Sequence, residues 1–155
     1  MKLKSHFFVG LLLAPGVAGI DPGRITSVTD LQVLLIGVFL IGNIIPDIDL
    51  ALTGFKYERF KERTLLSHRG ITHHIFLPII AALAGFLLNE PPRSIVLAFA
   101  FGLALHVALD ALSPLGVPYG LKYQKRLSIP LYTTGKWSEG FFLAILTLSI
   151  ILLTY

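Results

Sequence analysis

The chain has 155 residues, of which 54% are hydrophobic and only 14% are charged. This balance is far more apolar than that of a soluble domain of the same length, and it predicts one integral membrane domain over residues 1–155. The absence of cysteine excludes a disulfide framework and a thiolate metal site. The net charge of +4 would suit nucleic acid, but the basic residues are distributed in the manner of a membrane protein.

Five apolar segments predict an all-α polytopic helical bundle of about five transmembrane or re-entrant helices. The first segment, 7–20, is shorter than the ~20 residues of a simple span and contains Pro15, so a short or re-entrant helix is expected there. Its basic start and its small residues are also typical of a secretory signal peptide, which is the alternative for this segment. The other apolar segments are 31–45, 75–88, 95–112 and 140–155.

Polar and turn-forming residues mark the ends of the predicted helices. Asp30 is suited to cap the second helix and Ser94 the fourth. Pro46 biases the preceding residue away from helical geometry. The sequence therefore places Asp47 and Asp49 just beyond the end of the second helix.

The basic residues are concentrated in alternate loops. If the N-terminus is cytoplasmic, all 13 lysines and arginines except Arg24 and Arg93 lie on the cytoplasmic side. This distribution follows the positive-inside rule and predicts a multi-pass protein with a cytoplasmic N-terminus, the lipid bilayer as partner and no nucleic acid. Residues 50–67 are the most charged stretch, a solvated loop or interfacial helix, and residues 119–137 have the aromatic and basic composition of a membrane–water interface.

The same topology gathers the polar residues at the cytoplasmic ends of the helices. Residues 67–74, with the sequence SHRGITHH, hold three of the five histidines between two apolar stretches. Taken by themselves, these three histidines could form a polar cap between two membrane helices. Acidic residues of other helices, however, are predicted to lie at the same end of the bundle. The gathered residues are His6, Asp47, Asp49, His68, His73, His74, His106 and Asp110.

This combination of residue types is typical of a metal site. His106 and Asp110 are four positions apart on a helix, so they share a face and could bind one cation; the alternative is a His–Asp pair that staples helices. Asp47 and Asp49, gathered with imidazoles and without sulfur, suit zinc, manganese or iron, although aspartates are also common at helix ends. The set exceeds what one tetrahedral zinc ion binds, so about one to three ions are expected.

Metal ions held by histidine and aspartate can activate water and stabilise charge that develops on a phosphoryl or carbonyl oxygen. Arg69 could hold a phosphate or another anionic substrate group in bidentate fashion, or it could simply follow the positive-inside rule. An aspartate such as Asp49 could act as general base. The chain contains no G-x-S-x-G motif, so a serine-hydrolase mechanism is set aside.

These motifs resemble the YdjM/YbcI family of small membrane-bound, metal-dependent hydrolases. The resemblance runs from His6 to about Pro130. The family usually has serine after its T-H pair, where this chain has His74, so His74 is left out of the expected ligands. The motif order is also similar to that of the zinc-dependent phospholipase C and P1-type nuclease group, helical enzymes that cleave phosphoesters with zinc held by His and Asp. The motifs are His6, PDID at 46–49, HRGITH at 68–73, HVALD at 106–110 and PLGVP at 114–118.

The resemblance implies a zinc-dependent hydrolase of the plasma (inner) membrane that cleaves a phosphoester, such as a phospholipid, at the cytoplasmic face. Asp49 and Arg69 are the expected catalytic residues. Two alternatives stay open, a metal-stapled membrane anchor that binds a partner through residues 50–66 and a metal transporter, whose site would lie near the bilayer midplane. The expected metal ligands are His6, Asp47, Asp49, His68, His73, His106 and Asp110.

Overall fold

A computed structural model describes residues 1–21, 27–48, 69–120 and 125–154, and within these ranges the chain forms five α-helices. Two 3-10 turns, Ile45–Asp47 and Ile71–His73, lie between helices. Two short antiparallel strands, β1 at Val117–Pro118 and β2 at Arg126–Leu127, pair with each other. The all-α prediction is therefore confirmed. The helices are α1 Leu3–Val17, α2 Asp30–Ile44, α3 Phe76–Phe86, α4 Pro92–Ala111 and α5 Trp137–Thr154.

Two of the predicted helix caps are wrong by a few residues. Helix α2 is capped by Thr29, whose hydroxyl accepts the Gln32 N–H, while the Gln32 side chain accepts the Thr29 N–H in return. Asp30 is the first helical residue, where its negative charge suits the helix dipole. Ser94 lies inside the first turn of α4, and both its N–H and its hydroxyl donate to the Glu90 carboxylate.

The prolines change the backbone less than the sequence suggested. Helix α1 continues through Pro15 and ends at Val17. Ile45, before Pro46, keeps helical angles (φ −52°, ψ −38°), so the prediction that it would leave helical geometry is wrong. The chain tightens there into a 3-10 turn, whose angles are close to those of an α-helix. Asp47 nevertheless lies beyond the end of α2, as predicted.

Helix α4 is the centre of the packing. Its largest interface is with α2, and it also packs against α3, while α1 packs against α2 and α5. Gly42 of α2 and Gly102 of α4 face the partner backbone so closely that a Cβ on either would overlap a carbonyl oxygen of the other helix. Small residues of this kind let two membrane helices approach each other closely.

Two helical segments, Asp30–Asp47 and Pro92–Ala111, are long and apolar enough to cross a membrane. Helices α1, α3 and α5 are also apolar, but their apolar stretches are only 10–17 residues long. Large apolar side chains such as Ile80 and Phe101 are exposed, which fits contact with lipid. The structure supports two candidate crossings, while a bundle of five spans stays a prediction.

Candidate metal centre

Five of the predicted ligands meet in one buried cluster, to which four parts of the chain contribute. His6 comes from α1, Asp47 from the 3-10 turn after α2, His73 from the 3-10 turn before α3, and His106 and Asp110 from the end of α4. Successive helices run in alternate directions, so these positions share one end of the bundle. The predicted convergence of these residues is present in the structure. His6, Asp47 and His106, and likewise His73, His106 and Asp110, place potential ligand atoms within 4.8 Å of one another.

The centre of the cluster consists of two imidazole nitrogens and two carboxylate oxygens. The Nε2 atoms of His73 and His106 are 3.1 Å apart. Asp47 Oδ1 lies 3.5 Å from His73 Nε2 and 3.6 Å from His106 Nε2. Asp110 Oδ2 lies 3.4 Å and 3.8 Å from the same two nitrogens. Ligands that surround a tetrahedral zinc ion at its usual bond lengths are about 3.3 Å apart, so these five separations are close to those of a zinc site.

Hydrogen bonds on the far side of each imidazole orient the two histidines. His106 Nδ1 lies 2.7 Å from the Asn43 carbonyl oxygen, which can only accept, so Nδ1 carries the hydrogen. In neutral His106 the lone pair is then on Nε2, which faces the centre. His73 Nδ1 lies 3.0 Å from the Thr72 hydroxyl, which can accept its hydrogen in the same way. With the Thr72 hydroxyl as acceptor, both Nε2 atoms lack a hydrogen, and two such nitrogens at 3.1 Å repel each other unless a cation lies between them. A hydrogen bond on the far ring nitrogen is common among metal-binding histidines.

Several buried polar atoms of the cluster have no hydrogen-bond partner in the described part of the chain. They are His6 Nδ1, Asp47 Oδ2 and Asp110 Oδ2. Leaving a carboxylate oxygen buried without a donor is costly. Asp110 Oδ2 is one of the four central atoms, so coordination of a cation there would satisfy it, and the donor set fits a divalent metal.

His6 belongs to the cluster but sits on its edge. Its ring stacks on that of His106, with centroids 3.8 Å apart and an angle of 14° between the planes, and its Nε2 is 3.3 Å from Asp110 Oδ1. The two groups of candidate ligands share His106. Because Nδ1 of His106 is bound to Asn43, only Nε2 is available, and it can bind a single ion. A second ion would therefore need ligands other than His106.

Arg69 holds the other oxygen of Asp110. Its Nη2 donates to Asp110 Oδ1 at 2.8 Å and its Nη1 to Ser113 Oγ at 2.8 Å. The nitrogen of Met1 also contacts Asp110 Oδ1. Arg69 is 3% exposed and has a left-handed backbone (φ 60°), a conformation that costs about 1–3 kcal/mol in a residue other than glycine. The guanidinium thus orients a candidate metal ligand, and its binding of a substrate anion stays a prediction.

Three residues of the predicted gathering are not in this cluster: one lies apart, and two are not described. His74 Nδ1 accepts the Phe76 N–H at 3.3 Å and its Nε2 is 3.4 Å from the Gly120 carbonyl oxygen, so it joins the start of α3 to β1. It is in neither group of candidate ligands. Asp49 and His68 lie outside the described residues, and their roles stay predictions.

Sequence reasoning missed the residues that support the cluster. Asn43 was not among the expected site residues, yet its carbonyl orients His106 and its Nδ2 donates to the His6 carbonyl oxygen at 2.6 Å. An amide in the last turn of an apolar helix is a recognisable signal, because a polar group is costly there without a partner. Thr72 and Ser113 carried no comparable signal, since small hydroxyl residues are common in turns.

Comparison with known proteins gives one match. The family model described as YdjM inner membrane protein matches residues 1–155, the whole chain. No curated protein and no solved structure matches the chain significantly.

Proposed function

This chain belongs to the YdjM inner membrane protein family, and we propose that it is a membrane-bound, metal-dependent hydrolase that cleaves a phosphoester. The observation that carries the proposal is the convergence of four potential ligand atoms, in which each carboxylate oxygen lies 3.4–3.8 Å from both imidazole nitrogens. They belong to Asp47, His73, His106 and Asp110.

The donor chemistry favours zinc. Imidazole nitrogens and carboxylate oxygens without sulfur suit zinc, with manganese and iron as alternatives. His73, His106, Asp47 and Asp110 would hold the first ion. His6, together with Asp49 and His68 from the undescribed part, would complete the centre or hold a further ion.

A divalent ion in this position supplies Lewis acidity, which activates water and stabilises negative charge on a phosphoryl oxygen. The protein would contribute orientation and proton transfer. Asn43 and Thr72 keep Nε2 of His106 and His73 directed at the centre, and Arg69 keeps Oδ2 of Asp110 directed there. Asp49 is proposed as the general base.

The placement of the cluster suggests the substrate. It lies at the end of both candidate spans, where basic residues concentrate, and we place this end at the cytoplasmic face of a multi-pass protein. A substrate that lies in or on the membrane, such as a phospholipid, could reach this position without leaving the bilayer.

Metal content of the detergent-purified protein is the first test. Wild type should contain at least about one zinc-type ion per chain, and H73A and H106A should lose it. H74A is a matched control, because it removes a neighbouring buried histidine that is in neither group of candidate ligands, and it should keep the ion. Absence of a bound metal in wild type after reconstitution, or loss of metal from H74A alone, would contradict the proposal.

Turnover is the second test. Phosphoesters, phospholipids first, are screened with wild type and D49N. We expect D49N to keep its fold and the first ion, whose four proposed ligands do not include Asp49, but to lose about 10²–10⁴-fold in rate, the usual contribution of a general base. If wild type retains metal but turns over no phosphoester, the result would support the metal-stapled anchor. If proteoliposomes that contain the protein take up metal, the result would support a transporter. Either result would refute the phosphoester hydrolase.

A further inference from the structure

The segment that links α4 to α5 is built into the fold at the same end as the metal-candidate cluster. Its backbone is bound to the last turn of α4, since Ile129 N–H donates to the Ala111 carbonyl at 2.8 Å and Leu131 N–H to the Leu112 carbonyl at 2.9 Å. Ser128 Oγ donates to the Ser113 carbonyl at 2.8 Å. The described residues 113–120 and 125–137, which we name the connecting surface, therefore have a defined position directly after the candidate span Pro92–Ala111.

The connecting surface exposes large apolar side chains although it lies beyond the helix end. Trp137 is 82% exposed, and five further large side chains are more than two-fifths exposed. Exposure of such an apolar patch to water is unfavourable, so the patch indicates a surface that contacts a membrane or a partner protein. The five are Leu115, Tyr119, Leu127, Ile129 and Leu131.

The charges of the same surface have one sign. From Ser113 to Trp137 the sequence contains lysine and arginine but no aspartate or glutamate. Lys125 and Lys136 are exposed. The next acidic residue, Glu139, is 4% exposed, and its carboxylate accepts hydrogen bonds from Ser5 Oγ at 2.7 Å and from the Gly135 N–H at 2.6 Å. The acidic residue nearest in sequence is thus directed inward, and the outward charge is cationic.

We propose that the connecting surface lies in the headgroup region of the membrane and binds anionic phospholipids. Tryptophan and tyrosine prefer the headgroup level of a bilayer, where an apolar ring can be buried while its polar atom stays hydrated. Lysine and arginine at this level attract anionic headgroups. Continuity with a candidate span favours the membrane over a soluble acidic protein, because the end of a span and the residues that follow it lie at the bilayer surface.

This surface is linked to the metal-candidate cluster through Arg69, whose Nη1 also donates to Ser113 Oγ at 2.8 Å. The Gly116 oxygen accepts a hydrogen bond from Arg126 Nη2 at 2.9 Å and from Arg69 Nη1 at 3.4 Å, and Arg69 binds Asp110. Lipid bound at the connecting surface would therefore lie beside the cluster. The lipid contact itself does not rest on the proposed hydrolase activity.

Trp137 is the only tryptophan of the sequence, so its fluorescence reports on the connecting surface. The full chain is reconstituted into phosphatidylcholine vesicles that contain phospholipid brominated either near the headgroup or near the chain ends. We expect stronger quenching from the shallow bromines. Stronger quenching from the deep bromines, or quenching only by aqueous iodide, would overturn the proposal, and the second result would favour a water-soluble partner.

The anionic preference is tested with brominated phosphatidylglycerol against brominated phosphatidylcholine at the same mole fraction. We expect stronger quenching from phosphatidylglycerol, and a loss of about fivefold in this preference in K125Q, because each lysine near an anionic membrane surface contributes about that factor. R93Q is the matched control, since Arg93 is at the opposite end of α4. Equal quenching by both lipids in wild type, or an equal loss of preference in both variants, would overturn the anionic preference. Fluorescence needs neither metal nor turnover, so failure here is distinguishable from failure of the proposed function.

Discussion

The contact between α2 and α4 at Gly42 and Gly102 gives a prediction whose size follows from the structure. A Cβ at position 102 would overlap the Phe39 carbonyl oxygen and lie 2.8 Å from the Asn43 nitrogen, inside the 3.0 Å that real Cβ atoms keep. Both neighbours are backbone atoms, so no change of rotamer relieves the overlap. In the variant G102A the two helices must therefore move apart.

The matched control is G37A, because Gly37 lies in α2 and a Cβ there meets nothing within 4 Å. Alanine is favoured over glycine inside a helix by about 1 kcal/mol, and both variants gain this amount. The difference between them is then the overpacking alone, about 1–3 kcal/mol in the free energy of unfolding. G102A should be the less stable variant by that amount.

The assay is equilibrium unfolding of the purified protein in detergent, with metal content measured on the same samples. Separation of the helices would move the Asn43 carbonyl from His106 Nδ1, now 2.7 Å away, and so disturb the orientation of His106. We therefore expect G102A to bind zinc more weakly than G37A. Equal stability of G102A and G37A would refute the close packing of α2 and α4 on which this reasoning depends.

Three further predictions concern residues around the cluster. T72V removes the hydroxyl beside His73 Nδ1 and should weaken metal binding about 10–100-fold, as measured by chelator competition; an unchanged affinity would contradict the orienting role. R69A leaves Asp110 without its buried guanidinium and should lower the free energy of unfolding by about 3–5 kcal/mol, whereas a loss under 1 kcal/mol would contradict the buried ion pair. Burial, assisted by the charge of Asp110, raises the pKa of Tyr132 above its ordinary value of 10.0. Above pH 10.0 the unfolded chain then binds fewer protons than the folded one, so the free energy of unfolding should fall as the pH rises. Y132F should reduce this fall in pH-dependent unfolding, and an identical fall in both proteins would show that Tyr132 is not its source.

Much of the cluster could be predicted from local sequence patterns. Apolar runs and turn residues locate helix ends within a few positions, and alternation of helix direction then places His6, Asp47, His73, His106 and Asp110 at one end. The four-residue spacing of His106 and Asp110 also put both on one face. Small errors at Asp30 and Ser94 did not matter, because a shift of a cap by one to three residues leaves the order of the helices unchanged.

The sequence by itself therefore determined the helical class, the apolar character and the gathering of histidine and aspartate, since all three follow from periodicity and order along the chain. Only the tertiary structure decided which atoms face the centre. Nε2 of His106 is selected by a carbonyl on α2, and Arg69 is drawn to Asp110 rather than to solvent. Such choices depend on side-chain rotamers and on the close approach of α2 and α4, which bring together residues far apart in the chain, and no local pattern contains that information.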